Sequence, residues 1–351
     1  MIGKEILGAF GLDNTKSIEK ISNGLINLTY KAKGSDGKTY LLQRINTKIF
    51  PKPIEIQENY LIIQDCLSKK NSYQLPAIIS TKNAELLLEQ DHQFWRCFDF
   101  ISGTHSMENA EDINQARQVA HCFGKFSADL SQLQSGKIHT ILPNFHDLRL
   151  RFTQFEQALQ YANEIRKKAV KSLIDEVYKN KQLVEFYDYI IANKNKFPLH
   201  ILHHDCKMSN ILFKSGTNEV FSPIDLDTTQ PGYFFSDLGD MIRSIVPNLS
   251  ENETDINKMK LRTDFYQAIK DGYLESMQQY LTIDELSHID QSGKIIIYMQ
   301  AVRFLTDYLN NDIYYQTDYP AQNKDRAENQ FKLLFLLSDY INHLSDKTIY
   351  A

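Results

Sequence analysis

Short apolar runs separated by turn sequences fill the first hundred residues, and this pattern predicts a mainly β region. The runs at 26–32 and 39–45 flank Gly34-Ser35-Asp36-Gly37-Lys38, a strong turn signal, so they are predicted to form a hairpin. A second predicted hairpin joins 85–89 to 93–98. The N-terminal part of the chain is therefore expected to be built from paired strands.

One helix interrupts this β region, and helices take over after residue 104. Residues 54–67 follow two prolines and place apolar side chains three or four positions apart, which predicts an amphipathic helix. The same spacing predicts later helices at 113–133, from about 148, and at 174–191, 262–280, 283–310 and 327–344. A β-rich part followed by a helical part predicts an α+β chain.

One polar stretch, His203 to Asn210, lies between two apolar runs and is followed fifteen residues after its last member by Asp225-Leu226-Asp227. The intervening segment turns at Ser215-Gly216-Thr217-Asn218 and is predicted to be a β-hairpin. Because a hairpin brings its two ends together, the sequence predicts that Asp205, Asn210 and Asp225 converge on one point.

Such a set of side chains suits phosphoryl transfer. That reaction needs one carboxylate to orient and deprotonate a hydroxyl, and hard oxygen ligands to hold Mg²⁺ against the phosphates. An H-x-D-x-x-x-x-N loop followed by a hairpin and an Asp is the kinase arrangement. Asp and Asn are also good turn formers at strand ends, which is the structural alternative for this segment.

Composition and charge argue against several other classes of protein. The 351 residues are 42% hydrophobic and 24% charged, as in an ordinary globular protein. A net charge of −5 without a basic stripe argues against a nucleic-acid binder. Neither a secretory signal nor a run of about eighteen apolar residues is present, so no membrane association and a cytoplasmic location are expected. The four scattered cysteines are expected to be free thiols.

Two features of the predicted strands are candidates for nucleotide binding. The turn at Gly24 precedes the first hairpin, where a kinase has a lid over the phosphates, with backbone N–H groups and Asn27 as donors; a plain surface turn is the alternative. Gln43 and Arg44 occupy the place of the phosphate-pairing strand Lys. Neighbouring strand residues point to opposite faces, so only one of the two is expected to act. Arg44 carries the charge, whereas Gln43 fits the position.

Two further segments complete the expected nucleotide site. The stretch from Phe98 to Gly103 ends the second predicted hairpin and would be the hinge between two lobes, offering backbone groups to an adenine. Glu55 and Glu58, on the first helix, are candidates to pair with Arg44, although exposed helical Glu residues are commonly just solvated. His146 is interpreted as a capping or packing histidine rather than a catalytic one.

Together these motifs resemble the aminoglycoside phosphotransferase and choline kinase superfamily, and within it bacterial N-acetylhexosamine 1-kinases. The resemblance covers nearly the whole chain and rests on residues 24–30, 42–46, 143–147, 203–207, 224–228 and 301–309. It implies a bilobal, protein-kinase-like α+β fold with a small β-rich N-terminal lobe, 1–101, and a larger helical C-terminal lobe, 102–351. Cys206 departs from the pattern, because a hydroxyl residue is expected there in the closest relatives.

The resemblance also implies roles for individual residues. Asp205 would be the base that orients the acceptor hydroxyl, and Lys207 would lie near the γ-phosphate. Asn210 and Asp225 would bind Mg²⁺, while Asp227 would add a metal contact or a hydrogen bond to a metal ligand. ATP would be held by residues that include Gly24, Asn27, Tyr30, Gln43, Arg44, Asp99 and Ile101.

The acceptor implied by the resemblance is an N-acetylhexosamine phosphorylated at its anomeric hydroxyl. Arg303, Asp307 and Tyr308 would contribute to the sugar pocket, with interhelical salt bridges and packing as an equal alternative for these three. Another alcohol, such as an aminoglycoside, choline or a different sugar, is a second interpretation. A catalytically silent nucleotide-binding protein is a third, favoured by the missing strand Lys and opposed by the intact Asp205, Asn210 and Asp225. The oligomeric state stays open.

Overall fold

The structure, a computed structural model, describes residues 2–21, 26–70 and 73–349, with side chains up to Leu344. The chain divides into two units. The first comprises Met1–Ser106, Gln132–Pro143 and Ile211–Gln230, and the second comprises Met107–Ser131, Asn144–Asn210 and Pro231–Ala351. The polar stretch from His203 to Asn210 thus belongs to the second unit, whereas Asp225 and Asp227 belong to the first.

The described strands are short and lie mostly in the first unit. They are β1 (Ser17–Ile21), β2 (Leu28–Lys33), β3 (Thr39–Arg44), β4 (Ile78–Ile79), β5 (Leu88–Gln90), β6 (Gln93–Asp99), β7 (Thr104–His105), β8 (His200–Leu202), β9 (Ile211–Lys214), β10 (Val220–Pro223) and β11 (Gln230–Gly232). One sheet has the order β1-β2-β3-β6-β4, with β5 also paired to β6. A three-stranded sheet has the order β10-β9-β7, and β11 pairs with β8.

The three predicted hairpins are present. β2 pairs antiparallel with β3, and β5 with β6. Asp91 and His92, at the β5–β6 turn, both have positive φ, 51° and 57°, which matches the twist of a tight two-residue hairpin turn. The hairpin of β9 and β10 leads from Asn210 to Asp225 as predicted.

The main sheet of the first unit has one apolar face and one polar row. The apolar face packs against helix α1 (Lys4–Ala9) through a cluster that includes Ile6, Leu7, Phe10, Ala32, Leu42, Trp95 and Cys97. The cross-strand pairs Thr29–Gln43 and Gln43–Arg96 place these three polar side chains in a row. Since side chains alternate along a strand, this row faces away from the α1 cluster.

Helices form most of the second unit. The remaining helices of the chain are α2 (Pro53–Lys69), α3 (Ile113–Leu130), α4 (Leu148–Tyr161), α5 (Glu164–Ala169), α6 (Lys171–Lys179), α7 (Gln182–Ala192), α8 (Phe235–Ile245), α9 (Thr263–Met277), α10 (Ile283–Ser287), α11 (Gln291–Leu309) and α12 (Gln322–Ile349). All except α2 lie in the second unit. Gly124 lets α3 approach α9 closely, because a Cβ at this position would lie 2.7 Å from the Tyr273 carbonyl oxygen.

Two predicted helices are wrong in their continuity. The segment 174–191 is divided between α6 and α7, and the break falls at Asn180, whose Nδ2 donates to the Glu176 carbonyl oxygen. The segment 283–310 is divided between α10 and α11. Here α10 ends at Ser287, and Nδ1 of the next residue, His288, bonds the Asp284 carbonyl oxygen.

The α+β fold class is confirmed, with an antiparallel sheet in the first unit and a helix-rich second unit. The predicted boundary at residue 101 lies a few residues before Ser106, where the first segment of the first unit ends. In the part of the chain that the structure describes, no helix is long and apolar enough to cross a membrane.

Candidate functional site

The loop from His203 to Asn210 is anchored by a buried carboxylate. Asp237, in the first turn of α8, accepts hydrogen bonds from the backbone N–H of His204 at Oδ1 (2.8 Å) and of His203 at Oδ2 (3.1 Å). Its Oδ2 also accepts from Ser127 Oγ at 3.2 Å. Charge-assisted bonds to two consecutive amides fix the backbone directly before Asp205.

Asp205, Lys207 and Asn210 come together in this loop. Lys207 Nζ lies 3.0 Å from Asp205 Oδ2, and Asn210 Nδ2 donates to the same oxygen at 2.8 Å and to the Asp205 carbonyl oxygen at 2.9 Å. No side chain or amide of the described residues donates to Asp205 Oδ1. Because the Asn210 nitrogen is turned toward Asp205, the amide oxygen is the atom of Asn210 that remains to bind a cation.

Two opposing effects set the protonation of Asp205. Burial by itself raises the pKa of Asp205, but the charge and hydrogen bond of Lys207, followed by His203 and Asn210, outweigh burial and hold the pKa below its ordinary value. Burial likewise raises the pKa of Asp240, against the charge of Arg243. Burial first, then the charge of Asp237, raises the pKa of the Cys206 thiol, so this cysteine is an inert packing residue.

A serine hydroxyl joins two histidines beside the loop. Ser236 Oγ lies 2.6 Å from Nδ1 of His204 and 2.6 Å from Nδ1 of His146. One hydroxyl carries one proton, so Ser236 donates to one ring and accepts from the other. His204 also has φ of 68°, a left-handed conformation that is uncommon for residues other than Gly. Strained backbone of this kind is typical of functional sites.

Cationic side chains surround His146. Its pKa is well below the ordinary value because of burial and the charges of His204, Arg303, Arg243 and Arg151, in that order. The ring of Phe145 stacks on that of His146, with centroids 4.6 Å apart. His146 is therefore a neutral imidazole at ordinary pH. Among these cations, Arg243 is itself paired with Asp240 and Glu251, at 2.9 Å each.

The three acceptor candidates on α11 differ in their contacts. Arg303 is partly buried, and its guanidinium lies 5.6 Å from the ring centroid of Tyr315 and 5.9 Å from that of Tyr314. Asp307 is 4% exposed, and its carboxylate accepts from the backbone N–H groups of Tyr314 and Tyr315 and from Asn323 Nδ2. The Asp307 carboxylate thus fixes the loop that carries both tyrosines.

Tyr308, the third candidate, is also engaged within the second unit. The guanidinium of Arg166 lies 4.5 Å from the Tyr308 ring centroid, and Arg166 Nη1 donates to the Tyr308 carbonyl oxygen. Arg166 pairs with Asp312 at 2.8 Å as well. These contacts tie the C-terminal end of α11 to α5.

In the first unit, a buried arginine binds Asp227. Arg96 Nη2 lies 2.7 Å from Asp227 Oδ2, and both side chains are 3% exposed. Arg96 also donates through Nε to Gln43 Oε1 at 3.0 Å and through Nη1 to Gln57 Oε1 at 3.3 Å. Asn27 Nδ2 is a second donor to Asp227 Oδ2, at 2.8 Å.

The strand geometry separates Gln43 from Arg44. Gln43 lies in the polar row beside Arg96, and its Nε2 donates to Thr29 Oγ1 at 3.0 Å. Arg44 points to the other face, where its Nη1 donates to Gln93 Oε1 at 3.2 Å. The geometry therefore associates Gln43, and not Arg44, with Asp227.

The other predicted nucleotide contacts are distributed over the first unit. Tyr30 stacks on Trp95, with ring centroids 6.3 Å apart, on the apolar face of the sheet. Asp99 ends β6 with an exposed side chain, and the Ile101 carbonyl oxygen accepts from Thr104 Oγ1 at 2.8 Å. Gly24 lies outside the described residues.

Asp225 directly follows β10 and has a left-handed backbone, with φ of 62° and ψ of 58°. A left-handed Asp is tolerated better than most residues but is still uncommon. This conformation ends the strand abruptly and turns the chain into the short 3₁₀ segment Leu226–Thr228, which contains Asp227.

The sequence analysis did not single out Arg96 and Gln57, which belong to the contacts around Asp227 in the first unit, or Ser236 and Asp237, which contact His203 and His204 in the second unit. Arg96 had a usable signal, because a single charge inside the apolar run Phe94-Trp95-Arg96-Cys97-Phe98 is expected to be buried and paired. Gln57 lay between the two glutamates that were considered instead. Glu55 pairs with Lys52, and Glu58 with His139.

Known proteins share this fold across nearly the whole chain. The aminoglycoside phosphotransferase from Alicyclobacillus acidocaldarius has a TM-score of 0.65 at 13% identity, covering 98% of this chain and 97% of that chain. A microcompartment-associated aminopropanol kinase has a TM-score of 0.65 at 13% identity, covering 97% of each. The amicoumacin kinase hAmiN, in complex with AMP-PNP, Ca²⁺ and Ami, has 0.62 at 11%, covering 95% of this chain and 93% of that chain.

The sequence itself also matches a family. Residues 17–280 match APH, the phosphotransferase enzyme family, over more than half of the chain. This match agrees with the kinase-type loop, the hairpin and the fold described above, and it confirms the resemblance at the level of the family. The chain therefore belongs to the APH family of phosphotransferases.

Proposed function

We propose that the protein is an ATP- and Mg²⁺-dependent kinase that transfers the γ-phosphoryl group to the anomeric hydroxyl of an N-acetylhexosamine, giving the sugar 1-phosphate and ADP. The observation that carries this proposal is the cluster of Asp205, Lys207 and Asn210, held in one loop of a chain that belongs to a phosphotransferase family. The bond from the γ-phosphorus to the sugar oxygen forms, and the bond to the bridging oxygen of ADP breaks.

Asp205 is the proposed base. Its Oδ2 is taken by Lys207 and Asn210, so Oδ1 is the atom that would accept the proton of the anomeric hydroxyl. A carboxylate whose pKa is held low stays ionised at neutral pH and orients the hydroxyl, whose proton it accepts once the forming O–P bond makes that proton acidic. The proton then passes from Asp205 to solvent.

Lys207 and two oxygen ligands are proposed to manage the phosphate charge. Lys207 would neutralise charge that spreads onto the equatorial oxygens during transfer. We assign Asn210 and Asp225 as the residues that would hold Mg²⁺, which would supply positive charge to neutralise the phosphates. In the part of the chain that the structure describes, no group of three or more His, Cys, Asp and Glu side chains could hold a metal. Mg²⁺ commonly uses one or two carboxylates together with phosphate oxygens, so Asp225 and the amide oxygen of Asn210 are a sufficient protein contribution to the proposed site.

The nucleotide side of the proposal uses the first unit. Gln43, rather than Arg44, is assigned to the phosphates because it lies on the sheet face from which Arg96 binds Asp227. Asn27 is assigned to the same region, since its side chain binds Asp227. The backbone around Asp99 and Ile101 remains the proposed adenine contact.

A neutral sugar is the proposed acceptor because of the charges near His146. His204 precedes Asp205 in the chain, and Ser236 links it to His146, where Arg303, Arg243 and Arg151 act electrostatically. Arg243 is paired with Asp240 and Glu251, so Arg303 is the cation that would disfavour a polycationic aminoglycoside or choline there. An arginine flanked by tyrosines suits sugar hydroxyls and an acetamido group. Asp307 and Tyr308 are proposed to shape this region through their internal contacts.

The main competing function is a kinase of the same family with another alcohol as acceptor. An ADP-release screen with N-acetylglucosamine, N-acetylgalactosamine, choline and kanamycin separates the two. Turnover with either hexosamine supports the proposal. Turnover with choline or kanamycin but with neither hexosamine would refute it. A catalytically silent protein would release no ADP with any acceptor while still binding the nucleotide.

A further inference from the structure

Arg96 joins three elements of the first unit through one buried side chain. From β6 it reaches Gln43 on β3, Gln57 on α2 and Asp227 in the turn after β10, with one guanidinium nitrogen for each partner. Asp227 also holds Asn27, whose Oδ1 accepts from the Asn46 backbone N–H at 3.0 Å. We call Arg96 and Asp227, with the amide residues Gln43, Gln57 and Asn27 that bond them, the hub. The hub connects the turn that contains Asp225 to the sheet and to α2.

Stability alone is a weak reason for such a hub. Removing two charges from water costs several kcal/mol per ion, and buried ion pairs are commonly replaceable by apolar residues without loss of stability. The hub also includes Gln57 Nε2, a buried amide nitrogen with no hydrogen-bond partner among the described residues, at 1% exposure of the residue. An arrangement that retains a buried pair and an unsatisfied amide is explained better by geometry that the function requires.

The place of the hub suggests what that geometry is. In protein kinases, an ion pair between a strand lysine and a helix glutamate must form, and an Asp must hold Mg²⁺, before transfer occurs. Here the corresponding strand, β3, and helix, α2, carry the neutral amides Gln43 and Gln57. Because neither side chain is charged, the two cannot form an ion pair. Arg96 is the charged group that bonds to both.

We propose that Arg96 is the positioning residue that takes over the linking role of the missing strand lysine: through its ion pair with Asp227 it holds the turn so that Asp225 can bind the divalent cation of the nucleotide. This inference rests on the proposed function and deepens it. It assigns Asp227 to Arg96 and Asn27 rather than to the metal, and it leaves Asp225 as the carboxylate ligand of that turn. Arg96 and Thr29 fix the amide of Gln43 in one orientation, which leaves its second N–H as the group that would reach the phosphates.

Binding of Mg²⁺ and ADP tests the proposal without any acceptor. The ADP dissociation constant is measured by calorimetry over a series of Mg²⁺ concentrations for the wild type, Arg96→Met, Arg96→Lys and the double variant Arg96→Met/Asp227→Leu. We expect Arg96→Met to raise the Mg²⁺ concentration needed for half-maximal ADP binding by about 10- to 100-fold, as for other residues that orient metal ligands. Arg96→Lys keeps the ion pair but loses the two amide bonds, so it should fall between.

The double variant separates positioning from folding. Two apolar side chains should restore the melting temperature lost in Arg96→Met, but the Mg²⁺ requirement should remain raised. Recovery of wild-type Mg²⁺ dependence in the double variant would overturn the proposal, as would an unchanged Mg²⁺ requirement in Arg96→Met.

A control variant and the wild type distinguish failure of the proposed Arg96 role from failure of the proposed function. Arg262→Met removes an arginine that is partly buried, whereas Arg96 is fully buried; Arg262 bonds the carbonyl oxygens of Ile245 and Val246. It should lower the melting temperature and leave the Mg²⁺ requirement unchanged. Failure of the wild type to bind ADP with Mg²⁺ would refute the proposed function and the Arg96 role together, whereas wild-type binding with an unaffected Arg96→Met refutes only the latter.

Discussion

Lys207 Nζ lies 3.0 Å from Asp205 Oδ2. The charge of Lys207 is the largest of the effects that oppose burial and hold the pKa of Asp205 below its ordinary value. We predict that Lys207→Met raises the pKa of Asp205, because burial then acts against a weaker opposition. Since the ionised form is the proposed base, the acidic limb of the kcat/KM profile should move to higher pH. Profiles measured from about pH 4 to pH 8 check this.

The lowered pKa of Asp205 also makes the folding stability depend on pH. A lowered pKa means that the Asp205 contribution to folding is present above the unfolded-state pKa and is lost as the pH falls through the folded-state pKa. Lys258→Met, which removes an exposed lysine paired with Asp255 at 3.0 Å, is the control and should leave the pH limb in place. An unshifted acidic limb in Lys207→Met would contradict the assignment.

Asp205→Asn should remove the base while keeping its hydrogen-bonding shape. We expect kcat to fall by about a hundred- to ten-thousand-fold, because general-base catalysis contributes factors of that size. ADP binding should be retained, since no nucleotide contact is assigned to Asp205. Steady-state kinetics with calorimetry of ADP binding checks both, and Asp255→Asn is the matched exposed control. Near-normal kcat would refute the base assignment.

Ser236→Ala should uncouple His146 from His204. Losing the shared hydroxyl leaves two imidazole nitrogens without their partner, and a buried unsatisfied group costs about 1–3 kcal/mol of unfolding free energy. We also expect a higher KM for the acceptor with little change in KM for ATP. Ser244→Ala, in the same helix, removes only a bond to the Asp240 carbonyl oxygen and should change neither KM. Equal effects on both KM values would argue for a purely structural serine.

Substitutions of His204 test its backbone strain. His204→Gly and His204→Ala both lose the ring, but only Ala keeps a Cβ in the left-handed conformation. We expect the Gly variant to be more stable than the Ala variant by about 1 kcal/mol, measured by denaturant unfolding. The same two substitutions at Ser244, inside α8, should give the opposite order, because Gly in a helix costs about 0.5–1 kcal/mol relative to Ala. A more stable His204→Ala would contradict the strain.

Local features of the fold were predictable from the sequence. The hairpin of β9 and β10 was evident from two apolar runs around Ser215-Gly216-Thr217-Asn218, because turn chemistry acts over a few residues. The family motif around Asp205 was equally local, and the loop contacts among Asp205, Lys207 and Asn210 span at most five positions.

Long-range partners were not predictable in the same way. Arg96 and Asp227 are 131 positions apart, and no periodicity in either segment connects them. The helix break at Asn180 was not predictable for a different reason, because the apolar spacing continues across it. Only the bond from the Asn180 side chain to a preceding carbonyl oxygen favours termination. Polar side chains that bond backbone or distant partners therefore account for most of the differences.

The proposed reaction is transfer of the γ-phosphoryl group of ATP to an anomeric hydroxyl. The most direct measurement is phosphorus NMR of the product formed from ATP, Mg²⁺ and N-acetylglucosamine or N-acetylgalactosamine. We predict a phosphomonoester signal coupled to the anomeric proton, absent with Asp205→Asn. A product phosphorylated at another hydroxyl, or no phosphorylated sugar while choline or kanamycin is consumed, would contradict the claim.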